Sequence, residues 1–123
     1  MFSKRFRRFY KLTKELLLQA VKAVIYQDGK FLLQHRDNDP TIFHPGKWGL
    51  FGGSVDKGET LEEALVRELK EEINWSPDLS HHKLTWVSPT NGCLIHLFVA
   101  KLTTSIQNLE LREGQGMGLF FPE

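Results

Sequence analysis

The chain has 123 residues, of which 41% are hydrophobic and 11% aromatic, which is enough for one domain with a core and little more. The formal net charge is +1, so the molecule as a whole has no strong electrostatic preference for a partner. Cys93 is the only cysteine, which excludes an intrachain disulfide. No apolar run approaches the roughly 20 residues of a membrane span. We expect a soluble cytoplasmic protein.

The first residues are strongly basic. Six basic residues and no acidic residue lie within residues 1–14. With the aromatic residues among them they predict a helix over 4–18, so we divide the chain into a basic helical extension, 1–18, and a globular domain, 19–123. The basic face could contact nucleic acid or an anionic membrane. We favour a solvated face around apolar side chains that pack on the domain, because basic runs give frequent false positives.

Short strands follow in chain order. We predict strands over residues 19–26, 31–35, 48–51, 83–87, 94–102 and 117–121. Asp28-Gly29 suits the type I′ turn of a hairpin between the first two strands. The third strand leads into Gly52-Gly53, and we predict a glycine-rich turn over residues 53–59 that opens directly onto a helix.

One helix is predicted, and the sequence marks both of its ends. Thr60 and Glu63 form a capping box at its start, and Asn74 ends it. Its core-facing stripe consists of Leu61, Leu65, Val66, Leu69 and Ile73. Strands with a helix on the sheet indicate an α+β, or mixed α/β, fold.

This helix carries clustered carboxylates. Glu68, Glu71 and Glu72 are spaced i, i+3 and i+4, so a helix places them side by side, where like charges repel. A cation would remove this repulsion. Clustered oxygen ligands suit a hard divalent ion, above all Mg²⁺.

Residues 53–75 resemble the signature of the Nudix hydrolase family, G-x5-E-x7-R-E-U-x-E-E-x-G-U, with U aliphatic. Asn74 stands at a glycine position and Trp75 at an aliphatic position. Asn tolerates a left-handed helix end, so we expect the backbone still to turn there. Trp75 must change the local packing. The matching positions are Gly53, Glu59, Arg67, Glu68, Leu69, Glu71 and Glu72.

The resemblance implies the Nudix fold, a mixed sheet between helices. It also implies Mg²⁺-dependent hydrolysis, with Mn²⁺ as a substitute cation. The substrate class is a nucleoside diphosphate linked to another group, such as a nucleoside triphosphate or a nucleotide sugar, and the product is a nucleoside monophosphate. The alternative is a catalytically silent module that binds a nucleotide or a protein, although every glutamate of the signature is present. The oligomeric state stays open, with a dimer as one option.

Family members commonly carry a closing helix after the last strand. This sequence continues only to Glu123 after its last predicted strand. We expect the N-terminal helix to cover the sheet face that such a helix would cover. Deletion of residues 1–16 should then lower the melting temperature.

The resemblance also implies roles for the matching residues. Glu68, Glu71 and Glu72 would be metal ligands, together with a backbone carbonyl of Gly52 or Gly53. Glu68 is also a candidate base.

Glu59 and Arg67 match an ion pair that orients the ligands. For Arg67, a surface pair with Glu63, one helical turn earlier, is the alternative.

Further residues resemble family positions outside the signature. Glu113 resembles a loop glutamate that binds metal or activates water; a solvated loop carboxylate is the alternative. Arg36 resembles an arginine directed at the substrate phosphate, against an ordinary surface arginine. Trp48, Phe51 and Phe43 could stack on a nucleobase, because aromatic faces accept any base. Ordinary core packing is the alternative, which we favour for at least one of them.

Overall fold

The computed structural model describes residues 18–89 and 91–122. The N-terminal helix, and its covering of a sheet face, lie outside these residues and stay predictions. The elements are β1 Gln19–Gln27, β2 Lys30–His35, β3 Trp48–Gly49, β4 Phe51–Ser54, α1 Leu61–Ile73, β5 His81–Val87, β6 Leu94–Lys101, a short 3-10 helix Ile106–Asn108, and β7 Gly116–Phe120. The predicted α+β class is confirmed.

The strands form one mixed sheet. Its order is β3-β2-β1-β6-β5, with β4 also paired to β1 and β7 to β2. β1 pairs with β2 only beside their hairpin, from Ile25 to Gln27, and then pairs with β4 from Ala20 to Ala23. β1 and β2 therefore separate, and β4 is held against the first half of β1.

The hairpin and the helix ends follow the sequence prediction. Asp28 and Gly29 have φ values of 52° and 76°, as a type I′ turn requires. Thr60 and Glu63 form the capping box. Asn74 closes α1 in the left-handed conformation, with φ 54° and ψ 38°, so the expected turn at Asn74 is confirmed. Trp75 packs partly buried against the core and donates to Thr103 Oγ1 at 3.3 Å.

The core lies between α1 and one face of the sheet. Alternation along each strand directs every second side chain to this face. The fully buried residues of α1 pack against those of the strands; they are Ala64, Leu65, Leu69 and Ile73 from the helix, and Val21, Ala23, Ile25, Leu32, Phe51 and Phe98 from the sheet. Burial of these apolar side chains holds α1 in a fixed position over β4 and β1.

The glycine-rich turn predicted over residues 53–59 begins later than expected: Gly53 and Ser54 still belong to β4, and the turn residues are Lys57 and Gly58. Gly52 and Gly53 lie in β4, opposite Lys22 and Val21 of β1. Gly52 has φ 148°, and a Cβ there would overlap the Val21 carbonyl. The glycines therefore mark a close approach of two strands rather than a chain reversal.

Two further observations concern the ends of the fold. Among the described residues no helix follows β7, since Phe121 and Pro122 are irregular. The described part of the chain also contains no helix with the length and apolar character needed to cross a membrane.

Candidate metal centre

Glu72 is the most deeply buried of the predicted metal ligands. It is 2% exposed. Its Oε2 lies 3.5 Å from the Gly52 backbone N–H, and its Oε1 has no hydrogen-bond partner within the described residues. The pKa of Glu72 is raised to about 8, mainly by burial and also by the charges of Glu113 and Glu68, while the charge of Lys22 opposes this rise. A buried carboxylate with an unsatisfied oxygen is costly unless a ligand supplies the missing interaction.

Glu68 lies one helical turn before Glu72, against β4. Its carboxylate occupies the space that a Cβ at Gly53 would fill. The side chain is 14% exposed, and Oε1 accepts a hydrogen bond from Arg67 Nη1 at 2.9 Å. The glycine at position 53 thus lets a carboxylate approach the strand backbone directly.

Arg67 binds the carboxylates into one network. It contacts Glu59 with two hydrogen bonds, Nε to Oε2 at 2.7 Å and Nη2 to Oε1 at 2.9 Å, and it also donates to the Ser54 carbonyl. The pKa of Glu59 is lowered to about 2, mainly by the hydrogen bonds from Arg67 and also by that from the Asp56 backbone N–H. No Arg67–Glu63 pair occurs among the described residues, because Glu63 is engaged in the capping box. This is the geometry of an orienting ion pair.

Glu71 points differently from its neighbours. Its side chain is 58% exposed, and it lies 3.3 Å from Arg67 Nη1. Within residues 18–89 and 91–122, no group of three acidic, histidine or cysteine side chains is already arranged as a set of metal ligands. Arg67 holds Glu68 and Glu71 while Glu72 faces Gly52, so metal binding by all three requires that these side chains rotate.

Glu113 approaches the helix through backbone contacts. The N–H groups of Glu110 and Arg112 donate to the carbonyls of Ile73 and Glu72, at 3.1 and 2.7 Å. These bonds satisfy carbonyls at the end of α1 that have no partner within the helix. The next residue is Glu113, whose charge acts on Glu72. Glu113 itself is exposed.

Arg36 lies beside the same loop. A small pocket is lined by Gln34, Arg36, Asp37, Ile42, Glu113 and Gly114. The buried Gln34 amide donates to the Glu113 carbonyl at 2.9 Å. Arg36 Nε donates to the Phe43 carbonyl at 3.0 Å. The structure thus brings Arg36 and Glu113 to one pocket, and two of the three nitrogens of the Arg36 guanidinium stay free of hydrogen bonds within the described chain.

The three candidate stacking residues have different environments. Phe51 is fully buried in the core, so its ring has no free face for a substrate. For Phe51 the alternative of ordinary core packing is therefore the correct one. Phe43 is 58% exposed and Trp48 is 49% exposed. Trp48 stacks on His35 at 4.6 Å and meets the edge of Phe120. Trp48 therefore belongs to an exposed aromatic cluster on β2, β3 and β7.

Sequence reasoning did not single out Lys22. It lies opposite Gly52 on β1, half-buried. Burial lowers the pKa of Lys22, the charges of Glu72, Glu113 and Glu68 raise it, and that of Arg36 lowers it. The signal was available in the sequence, because Lys22 is the one charged residue in an otherwise apolar stretch from Ala20 to Tyr26.

The donor set fits a hard divalent cation. Carboxylate oxygens of Glu68 and Glu72 lie beside the glycine backbone of β4, and Glu72 Oε1 lacks a partner among the described residues. Mg²⁺ needs only one or two protein carboxylates, since waters and substrate phosphates complete its shell. A closed cage is therefore not required for this ion.

The chain is similar in sequence to known proteins. The family model described as NUDIX domain matches residues 16–115. The CTP pyrophosphohydrolase of Escherichia coli (strain K12) is 30% identical over 107 residues, which cover 87% of this chain and 78% of that protein. The nucleoside triphosphatase NudI of Escherichia coli O139:H28 is 48% identical over 50 residues, 41% of this chain and 35% of that protein.

The chain is also similar to solved structures. A MutT NUDIX hydrolase from Burkholderia pseudomallei has a TM-score of 0.69 at 25% identity, over 84% of this chain and 81% of that one. The NUDIX domain of Shewanella oneidensis NrtR, solved in complex with ADP ribose, has a TM-score of 0.68 at 22% identity, over 98% and 83% of the two chains, and it shows the fold alone. As the signature predicted, the chain belongs to the Nudix family and is a pyrophosphohydrolase of that family.

Proposed function

We propose that this protein hydrolyses nucleoside triphosphates in a Mg²⁺-dependent reaction that releases a nucleoside monophosphate and pyrophosphate. The observation that carries the proposal is the buried Glu72 carboxylate: its Oε1 has no hydrogen-bond partner among the described residues, and its Oε2 lies 3.5 Å from the Gly52 nitrogen of β4. The named activities of two relatives, CTP pyrophosphohydrolase and nucleoside triphosphatase, support nucleoside triphosphates as the substrate class. Nucleotide sugars form the second substrate class to be tested.

Glu68, Glu71 and Glu72 would hold the cation, with a carbonyl of Gly52 or Gly53 and with Glu113 from the loop before β7. Bound Mg²⁺, or Mn²⁺ in its place, would neutralise the phosphate charge and lower the pKa of a bound water. Arg67, held by Glu59, donates a hydrogen bond to the Glu68 carboxylate and would orient it toward the cation. The protein thus contributes mainly positioning and electrostatic stabilisation.

The remaining roles concern the water and the nucleotide. Glu68 and Glu113 are the two candidate bases, and each is a carboxylate at the edge of the same cluster. Arg36 would contact a substrate phosphate from the pocket that it shares with Glu113. Trp48 would stack on the nucleobase, because half of its surface remains exposed beside His35.

A substrate screen tests the proposal. Purified protein is incubated with Mg²⁺ or Mn²⁺ and with nucleoside triphosphates, nucleotide sugars or dinucleoside polyphosphates, and the products are separated by chromatography. Release of pyrophosphate from a triphosphate is expected. Reaction in ¹⁸O-labelled water then shows which phosphorus is attacked, since the label enters that product.

Two variants of α1 sharpen the test. Glu72→Gln should abolish metal-dependent turnover. Glu62→Gln, an exposed residue of the first turn of the same helix, should leave it unchanged. Nucleotide binding by the parent without any turnover would overturn the proposal and favour the silent binding module.

A further inference from the structure

Lys22 has an unusual position for a lysine. It lies in the middle of β1 between Val21 and Ala23, which are both fully buried. Because side chains alternate along a strand, Lys22 points to the opposite face, beside Gly52 of β4. At Gly52 the two strands approach so closely that a Cβ there would meet the Val21 carbonyl and the Lys22 Cα.

The Lys22 ammonium has charged neighbours but no bonded partner in the described chain. Glu72, Glu113 and Glu68 all act on it electrostatically, yet none of the ion pairs or hydrogen bonds found among the described residues involves its Nζ. The one buried polar side-chain atom without a partner there is Glu72 Oε1. The Lys22 ammonium therefore still reaches solvent, at the edge of the carboxylate cluster.

An ammonium in this position has three donors to offer and no acceptor in place. Partial burial makes unsatisfied donors costly. A phosphate oxygen is the matching acceptor, since lysine binds phosphate as a mobile point charge. The cluster that would gather cations thus has a positive side chain on its β1 flank, and Arg36 lies close enough to act on Lys22.

We propose that Lys22 is a substrate-binding residue whose ammonium donates to a phosphate oxygen of the nucleotide at the carboxylate cluster. The proposal rests on the proposed function, because it concerns the same site. It adds a direct protein contact to the polyphosphate on β1, separate from the expected metal ligands and from Arg36. The competing role for Lys22 is that of a counter-ion that only offsets the glutamates.

Calorimetric titration separates the two roles. Inorganic tripolyphosphate is titrated into the protein in the presence of Mg²⁺, and Mg²⁺ is titrated alone, for the parent, Lys22→Met, Lys22→Arg and Lys101→Met. Lys101 is an exposed lysine at the end of β6, beside Tyr26 of β1, and serves as the matched control. We expect Lys22→Met to weaken tripolyphosphate binding about tenfold, as for the loss of a charge-assisted hydrogen bond. Lys22→Arg should retain most of the affinity, and Lys101→Met all of it.

Steady-state kinetics gives a second readout. Lys22→Met should raise KM for a nucleoside triphosphate by about tenfold and change kcat much less, as expected for a contact present in both ground state and transition state. A counter-ion role predicts a different result: tighter binding of Mg²⁺ alone, with tripolyphosphate affinity unchanged, and this result would overturn the proposal. If the parent hydrolyses no nucleotide, the proposed function fails, while the tripolyphosphate titration still decides the role of Lys22. If the parent protein binds no tripolyphosphate, the proposed role of Lys22 is overturned as well.

Discussion

The Glu68 carboxylate lies directly over the α-carbon of Gly53, in the space that any side chain at position 53 would occupy. Position 53 pairs with Val21 in the sheet, so the strand cannot retreat without breaking its ladder. A side chain there must instead displace Glu68. This contact joins Gly53, the first residue of the signature, to Glu68, the first glutamate of the acidic cluster on α1.

Gly53→Ala should therefore lower the activity while the fold persists. A displacement of about 1 Å at a reacting group costs on the order of 100-fold in rate, and we expect a fall in kcat/KM of that order. Circular dichroism should remain unchanged. Gly49→Ala is the control, because a Cβ at Gly49 meets no atom within 4 Å. Full activity in Gly53→Ala would contradict the assigned position of Glu68.

Glu72→Gln should change the pH dependence of stability in the metal-free protein. The folded pKa of Glu72 is about 8 against an ordinary 4.5, so between these values the unfolded state has released a proton that the folded state retains. Stability from this group is present below about pH 4.5 and declines as pH rises to 8. The variant lacks this decline.

The measurement is urea unfolding in a chelator at several pH values. As pH rises from 5 to 8, the free energy of unfolding of Glu72→Gln should increase relative to that of the parent, by on the order of a few kcal/mol at most. The gain should stop above pH 8. A constant difference between the two proteins across this range would show that Glu72 is not held protonated.

Arg67→Lys tests the ion pair with Glu59. Lysine cannot make the paired contacts that the guanidinium makes with both Glu59 oxygens. We expect metal affinity or activity to fall about 10- to 100-fold, as for loss of a residue that orients a ligand. Glu63→Gln removes the charge of the alternative partner of Arg67. Because Glu63 makes no contact with Arg67 in the described structure, this variant should have little effect on activity.

The same pair has an acid limit. The pKa of Glu59 is lowered from 4.5 to about 2, so its contribution to stability is present above pH 4.5 and is lost as pH falls through 2. The melting temperatures of the parent and Arg67→Lys should therefore converge on acidification below pH 4.5. A difference that persists at pH 2 would assign the stabilisation to other contacts of Arg67.

Trp48→Leu tests nucleobase stacking. Loss of a stacked aromatic ring costs about 1–3 kcal/mol of binding per base, so KM for a nucleoside triphosphate should rise at least fivefold. Affinity for inorganic tripolyphosphate, which has no base, should not change. Equal losses for both ligands would show that Trp48 acts on the polyphosphate or on the fold instead.

Asn74 tests the departure from the family signature. Its left-handed conformation is favourable for glycine and tolerable for Asn, but costs other residues about 1–2 kcal/mol. Asn74→Gly should therefore match or exceed the parent in urea stability, while Asn74→Val should lose about that amount. Equal stability of both variants would show that the helix end rearranges.

The helix and its chemistry were predictable because their signals are local. The capping box, the apolar stripe and the spacing of the three glutamates all lie within residues 60–74, and α1 follows them. The hairpin was equally local, since Asp28 and Gly29 determine its turn. Prediction was less successful where contacts are distant in sequence.

Three features of the site depend on such distant contacts. Gly52 lies in a strand because β1 approaches it, Phe51 is buried because α1 covers it, and Glu113 reaches the cluster because its loop bonds to the end of α1. A glycine pair alone cannot distinguish a turn from a close strand pairing. Lys22 gave a local signal, one charge in an apolar strand, but its proximity to Glu72 required the sheet register.

The loop before Glu113 is hydrogen-bonded to the last turn of α1, because its amides donate to the carbonyls of Ile73 and Glu72. Any fraying of that turn would therefore release the loop as well, so that a glutamate on the helix and one on the loop would leave the cluster together. Amide hydrogen exchange at Glu110 and Arg112 should accordingly slow when Mg²⁺ and nucleotide bind, which makes these two amides local reporters of site assembly.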